Sequence, residues 1–172
     1  MPTNIEFKAR IHDIAAASDT ASALAGSPPR IIMQEDVFFQ CAKGRLKLRI
    51  LDNEGQGELI HSLRDDVSGP KQSLYTVVPT FAPHELRLLL AAALGETMVV
   101  RKTRTLYLIG STRIHLDKVE RLGEFMEVEV VLEEGQHTQQ GEKIAADLLR
   151  RFGIRESDLI ATAYADLLEQ SP

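Results

Sequence analysis

The chain has 172 residues, of which 44% are hydrophobic and 26% charged, and its formal net charge is −5. This balance excludes a generally disordered chain, and the longest apolar run, Leu88–Leu94, is far shorter than the roughly 20 residues of a membrane-spanning helix. The negative charge disfavours a general nucleic-acid binder. The length predicts a single domain over residues 1–172. One cysteine, Cys41, and an N-terminus without an apolar signal segment predict a cytoplasmic protein.

The first half of the chain predicts mostly strands. Residues 4–11 alternate polar and apolar side chains, which is the period of a strand, and the Ala-rich residues 12–25 predict a helix. Four further strands are predicted in two hairpins, at 30–40 with 45–52 and at 58–65 with 72–78. Their turns are expected at Ala42–Gly44 and Val67–Pro70, and Pro79 is expected to end the second hairpin.

The second half predicts three strands flanked by helices. A helix is expected at 82–94, with its Leu88–Leu94 run in the core and Gly95 as the C-cap. Strands follow at 97–109, 112–119 and 125–133, and helices at 137–152 and 157–169. The eight strands have short connections, so the pattern indicates an α+β fold with a mainly antiparallel sheet.

Charged side chains collect on single faces of these strands. Because alternate residues share a face, Arg45, Lys47 and Arg49 form a purely basic face, and Glu127 and Glu129 form a purely acidic one. For any one strand, a solvated face explains such a pattern. Like charges two residues apart repel each other, so each cluster requires a counter-charge. A polyphosphate bound with a divalent metal ion supplies both counter-charges.

Three other strands carry similar faces. Glu6 and Lys8 share a face of the first strand with Asn4, and Lys102 shares one with Arg104. Arg113, His115 and Asp117 lie on one face of the strand at 112–119. Tyr164, on the last predicted helix, is expected to be a structural residue.

Seven short motifs, each weak alone, occur in an order and spacing that resemble the CYTH superfamily of triphosphate tunnel enzymes. They are Asn4–Lys8, Gly44–Arg49, Ser68–Lys71, Lys102–Arg104, His115–Asp117, Leu122–Glu129 and Ala163–Leu168. The resemblance covers nearly the whole chain, and residues 115–129 look most like the class IV adenylate cyclase branch. One position departs from the family pattern, because Asn4 stands where the opening motif has its first glutamate.

The resemblance implies a closed, eight-stranded antiparallel β-tunnel flanked by helices, with charged residues facing its lumen. It implies Mg²⁺ or Mn²⁺ bound by Glu6, Glu127 and Glu129. It also implies that lumen cations bind a triphosphate: Lys8, Arg45, Lys47, Arg49, Lys71, Lys102 and Arg104, with Arg64 and Arg113 as weaker assignments. His115 and Asp117 are expected to act in catalysis or as outer partners of the metal site.

The first activity that the resemblance implies is conversion of ATP to cyclic AMP and pyrophosphate. The alternative is hydrolysis of inorganic triphosphate, thiamine triphosphate or a nucleoside triphosphate, which the same residues serve equally well. A second alternative is a polyphosphate- or nucleotide-binding protein without turnover, which the missing charge at Asn4 favours. The resemblance also allows a homodimer, and neither a nucleic acid nor a membrane is expected as a partner.

Overall fold

The computed structural model describes residues 3–51, 55–64 and 70–170. Nine strands and four α-helices form in these ranges. The first half contains β1 (Thr3–Arg10), α1 (Ile14–Leu24), β2 (Arg30–Phe39), β3 (Arg45–Leu51), β4 (Gln56–Arg64), β5 (Lys71–Thr80) and α2 (Pro83–Leu94). The second half contains β6 (Glu96–Ile109), β7 (Thr112–Val119), β8 (Gly123–Val131), α3 (Thr138–Arg151), a 3₁₀ turn (Glu156–Asp158), β9 (Leu159–Ile160) and α4 (Tyr164–Glu169). The predicted turn at Val67–Pro70 and the start of the Ser68–Lys71 motif lie outside the described residues.

All strand pairs are antiparallel, and the strand order is β5-β4-β3-β2-β6-β7-β8-β1-β9. β1 pairs with β8 along Asn4–Arg10, whereas its other edge is divided between two strands. β5 pairs with Thr3–Glu6 of that edge, and β9 pairs with Lys8–Ala9. The sheet therefore curls into a half-barrel that is not closed over its full length. The prediction of a closed, eight-stranded tunnel is correct in its antiparallel α+β arrangement and wrong in its strand number and its complete closure.

The alternation predicted for the strands separates a helix-covered core from the inside of the barrel. Ile5 and Phe7 of β1 are buried in a cluster with Ile114 and Val128, and this cluster packs against α1 and α3. Gly141 of α3 lies so close to this cluster that a Cβ atom there would be 2.7 Å from Ile5 Cγ1. The alternate polar residues of β1, which are Asn4, Glu6 and Lys8, line the interior of the barrel.

Three sequence-based expectations about individual segments are wrong. Leu88 and Leu89 are 72% and 63% exposed, because α2 lies on the outside of the sheet and buries only the stripe that contains Leu90. β5 continues through Pro79. β1 pairs only with the beginning of β5, so the later part of that edge has no strand neighbour among the described residues, and a proline is tolerated there. The helix expected at 157–169 is interrupted, because Leu159–Ile160 pairs with the free edge of β1 and only α4 is helical.

None of the helices within the described ranges is both long and apolar enough to span a membrane.

Candidate active site inside the barrel

The concave face of the sheet encloses a cavity of about 430 Å³ that is rich in charge. Eight cationic residues line it among the described residues: Lys8, Arg30, Arg45, Lys47, Arg49, Lys102, Arg104 and Arg113. Five acidic residues line it in the same part of the chain: Glu6, Asp36, Glu58, Glu127 and Glu129. Arg64 and Lys71 fall on β4 and β5, but their side chains lie outside the described part of the structure.

Asp36 organises the basic face of β3. Its carboxylate is 2% exposed and accepts hydrogen bonds from Lys47 Nζ at 3.2 Å and from Arg49 Nε at 3.0 Å. Gln34 Nε2 donates a further bond at 3.0 Å. Burial alone would raise the pKa of Asp36, but Arg49 and Lys47 outweigh it and hold that pKa well below its usual range. Part of the counter-charge that the basic face requires is therefore supplied by the protein itself.

Asp117 pairs with the cations of β6 in the same way as Asp36 pairs with those of β3. It is fully buried, and Arg104 donates to both of its oxygens at 2.7 Å, while Lys102 Nζ lies 3.3 Å away. Burial and the neighbouring Arg104 lower the pKa of Lys102 to about 8. The Asp117 carboxylate is thus engaged by cations of the chain, and Arg104 Nη2 also links it to Glu127 at 2.8 Å.

Tyr164 of α4 contributes an aromatic surface to this region of the cavity. Its ring lies 4.1 Å from Lys8 Nζ and 4.9 Å from Lys102 Nζ, both in cation–π geometry. Its hydroxyl donates to Asp117 Oδ2 at 3.0 Å. Burial raises the pKa of Tyr164 well above its usual value, so the phenol keeps its proton. The sequence indicated a structural residue, and its position beneath two lumen lysines was missed because no local pattern marks it.

His115, Glu127 and Glu129 form a compact group on β7 and β8. One potential ligand atom from each lies within 4.8 Å of the others. Arg104 Nη2 donates to Glu127 Oε2 at 2.8 Å, and Arg113 Nη2 lies 2.9 Å from Glu129 Oε2. Burial would raise the pKa values of both carboxyl groups, but nearby basic groups hold them below the usual range.

The surroundings of the histidine in this group favour its uncharged form. Burial, with Arg104 as the next cause, lowers the pKa of His115 to about 4. Its Nδ1 atom is buried and has no hydrogen-bond partner among the described residues. Two carboxylates and a neutral imidazole form a donor set that suits a divalent metal ion, so the residues present fit the metal that the resemblance implies.

The other predicted residues of the opening motif lie next to this group. Glu6 faces the cavity and is the register partner of Glu129, but the three-residue group found in the described ranges contains His115 in its place. Asn4 is buried, and its Oδ1 atom has no hydrogen-bond partner within the described part of the chain. The functional roles of all these residues stay predictions.

Comparison with known proteins identifies the family. Residues 2–164 match the family model of the CYTH domain, and the chain therefore belongs to the CYTH family. Adenylate cyclase CyaB of Aeromonas hydrophila is 24% identical over 178 residues, which cover 97% of this chain and 89% of that protein.

Solved structures share the fold along almost the whole chain. The PH1012 protein of Pyrococcus horikoshii OT3 aligns with a TM-score of 0.82 at 25% identity, over 95% of this chain and 98% of that one. HpAC1 of Hippeastrum, a protein with a dominant triphosphatase activity, aligns with a TM-score of 0.66 at 14% identity, over 98% and 94% of the two chains. At that identity the similarity concerns the fold alone.

Proposed function

We propose that this protein is a divalent-metal-dependent enzyme that cleaves a triphosphate bound inside the half-barrel. The observation that carries the proposal is the division of charge in the cavity, where the acidic group of Glu127 and Glu129 lies beside a larger set of lysines and arginines. A polyphosphate and its metal ion require this combination. Membership of the CYTH family supports the same conclusion.

The lumen cations are proposed to bind the phosphates. Arg49, Lys47 and Lys102 are held by carboxylates on the sheet, so they are positioned before a substrate arrives and lose little freedom on binding. Glu127 and Glu129, with Glu6 beside them, would hold Mg²⁺ or Mn²⁺. That ion supplies charge neutralisation at the phosphate oxygens when it is bound.

The first candidate reaction is the conversion of ATP to cyclic AMP and pyrophosphate. The ribose 3′-oxygen attacks the α-phosphorus in line and loses its proton, and the bond from that phosphorus to the bridging oxygen breaks as pyrophosphate leaves. Lysines and arginines of the lumen stabilise the charge that develops on pyrophosphate. Similarity to CyaB over 97% of this chain supports this assignment.

The second candidate is hydrolysis of a triphosphate that has no base, such as inorganic triphosphate. The observation that favours it concerns the aromatic residues of the cavity. Phe38 and Tyr164 already have lysine ammonium groups over their rings, which leaves Tyr75 as the other aromatic residue in the described lining. A base-free substrate needs no aromatic stacking surface.

The experiment is product analysis by ³¹P NMR and chromatography. Purified protein is incubated separately with ATP and with tripolyphosphate, each with Mn²⁺ or Mg²⁺. Cyclic AMP with equimolar pyrophosphate establishes the cyclase, whereas orthophosphate from either compound establishes the triphosphatase. Absence of turnover, with tripolyphosphate binding retained in calorimetry, contradicts the proposed enzyme and identifies a binding protein.

A further inference from the structure

The Nδ1 atom of His115 is a buried polar atom in the cavity wall without a hydrogen-bond partner among the described residues. The side chain of His115 is 6% exposed, and its Nδ1 atom has no solvent contact. Its ion-pair contact with Glu129 Oε1 is 3.9 Å long, which is too far for a hydrogen bond. Buried polar atoms are almost always paired in folded proteins, so this nitrogen requires a partner that the described residues do not provide.

The strands fix the position of this nitrogen relative to two carboxylates. His115 on β7 is the register partner of Glu127 on β8, and Glu129 lies two residues further along the same face. Neighbouring arginines orient both acids: Arg104 binds Oε2 of Glu127, and Arg113 binds Oε2 of Glu129. Outer partners of this kind are typical of metal ligands, because they fix the orientation of the ligating group.

We propose that His115 is a direct ligand of the divalent metal through Nδ1, so that this chain binds the ion with one nitrogen atom and one oxygen each from Glu127 and Glu129. The proposal rests on the proposed function, since it assumes a metal ion at the two glutamates. The separation of at most 4.8 Å between the three ligand atoms is close to twice a metal–ligand distance of about 2.1 Å, so small side-chain rotations bring all three to one ion.

A nitrogen ligand has a consequence for metal choice. Mg²⁺ prefers an all-oxygen shell, whereas imidazole favours transition-metal ions. The site should therefore prefer Mn²⁺ over Mg²⁺, and this preference should depend on His115.

Pulsed electron paramagnetic resonance of bound Mn²⁺ tests the ligand directly, without a turnover assay. Tag-free protein is prepared with ¹⁴N or ¹⁵N in its histidines only, and Mn²⁺ alone is added in substoichiometric amount. Of the five histidines in the chain, His115 is the one that lines the cavity in the described part of the structure. The expected result is an echo modulation from directly bound ¹⁴N that is replaced by the ¹⁵N pattern in the labelled protein.

Two variants test whether His115 causes the nitrogen modulation and whether it contributes to Mn²⁺ affinity. His115→Gln should abolish the nitrogen modulation and weaken Mn²⁺ binding in calorimetry by at least about tenfold, since loss of even an outer partner of a metal ligand costs roughly 10–100-fold. It should also lower the ratio of Mn²⁺ to Mg²⁺ affinity. His84→Gln, at an exposed position on α2, is the matched control and should change none of these three quantities.

The outcomes separate this inference from the proposed function. Tight Mn²⁺ binding without nitrogen modulation overturns the role of His115 and leaves the carboxylate site intact. Absence of tight Mn²⁺ binding, or binding that is unchanged when Glu127 and Glu129 are both replaced by glutamine, overturns the inference together with the metal-dependent function. Because the labelled protein carries no substitution, the central result does not depend on the folding of a variant.

Discussion

Replacement of Asp36 by asparagine should have opposite effects on stability and on anion binding. Asp36 is 2% exposed, and its oxygens bind Lys47 Nζ at 3.2 Å and Arg49 Nε at 3.0 Å. Removal of one partner from a buried ion pair costs about 3–5 kcal/mol. The Lys47 and Arg49 side chains are 23% and 18% exposed, so they keep some hydration in the variant. We therefore expect a loss near the lower end of that range, about 3 kcal/mol.

The same substitution should strengthen binding of tripolyphosphate. Lys47 and Arg49 lose the carboxylate that neutralises them, so more of their charge is available to an anion in the cavity. At an effective dielectric constant of about 20, removal of one like charge from a distance of about 8 Å favours an anion by about 2 kcal/mol. A tenfold gain in affinity needs only about 1.4 kcal/mol. We expect affinity to rise by at least about tenfold. Saturating tripolyphosphate should then recover much of the lost stability.

Urea unfolding followed by circular dichroism, with and without tripolyphosphate, measures both effects, and calorimetry gives the affinity directly. Asp147→Asn is the matched control, because Asp147 lies on the outside of α3 and pairs with the exposed Arg150 and Arg151. That control should leave the binding constant unchanged and the unfolding curve close to that of the parent protein. An Asp36→Asn variant that is as stable as the parent protein, or that binds tripolyphosphate more weakly, would contradict the role assigned to Asp36.

Three further predictions follow from the described contacts. The pKa of Lys102 is about 8 in the free protein, and a bound polyanion favours the charged amine, so tripolyphosphate binding at pH 8–9 should take up protons and weaken as the pH rises. Calorimetry in buffers of different ionisation enthalpy measures this proton uptake. Uptake that persists in Lys102→Arg would contradict the assignment to Lys102. Tyr164→Phe removes the 3.0 Å hydrogen bond to Asp117 and should lower the free energy of unfolding by about 1.5–3 kcal/mol in a urea titration, and an unchanged midpoint would argue against that bond. Gly141→Ala places a Cβ atom 2.7 Å from Ile5 and should destabilise the fold by about 1–3 kcal/mol; since α3 packs outside the barrel, a change in tripolyphosphate affinity would be unexpected.

The period of the strands made much of the cavity wall predictable. Alternation placed Glu6 and Lys8 on one face and Ile5 and Phe7 on the other, and the structure has the first pair in the cavity and the second in the helix-covered core. A shift of one residue would exchange the two faces, so the hydrophobic pattern fixes the orientation of the whole strand.

The pairing of charges across strands could not be predicted in the same way. Asp36 is opposite Arg49 only because β2 and β3 pair in one particular register, and nothing next to Asp36 in the sequence marks it as a lumen residue. A purely basic strand face therefore indicated an external anion, whereas the structure supplies part of the counter-charge from Asp36 and Asp117.

The C-terminal segment shows a second limit of local pattern. Helical spacing at 157–169 predicted one helix, but Leu159–Ile160 pairs with an edge of β1 that β5 leaves free. That free edge is a property of the folded sheet, and it exists only after the strands have assembled. The same arrangement brings Tyr164 beneath the lumen lysines, so its position was also hidden from the sequence.

Metal-dependent cleavage of a triphosphate should depend on the glutamates of the cavity. Turnover of ATP and of tripolyphosphate is measured with Mn²⁺ and with EDTA for the parent protein, Glu127→Gln and Glu142→Gln, the last being an exposed position on α3. We predict metal-dependent turnover that falls by at least about 10²-fold in Glu127→Gln and is unchanged in Glu142→Gln. Turnover that is equal in all three proteins, or that continues in EDTA, would contradict a metal-dependent enzyme with its metal at these glutamates.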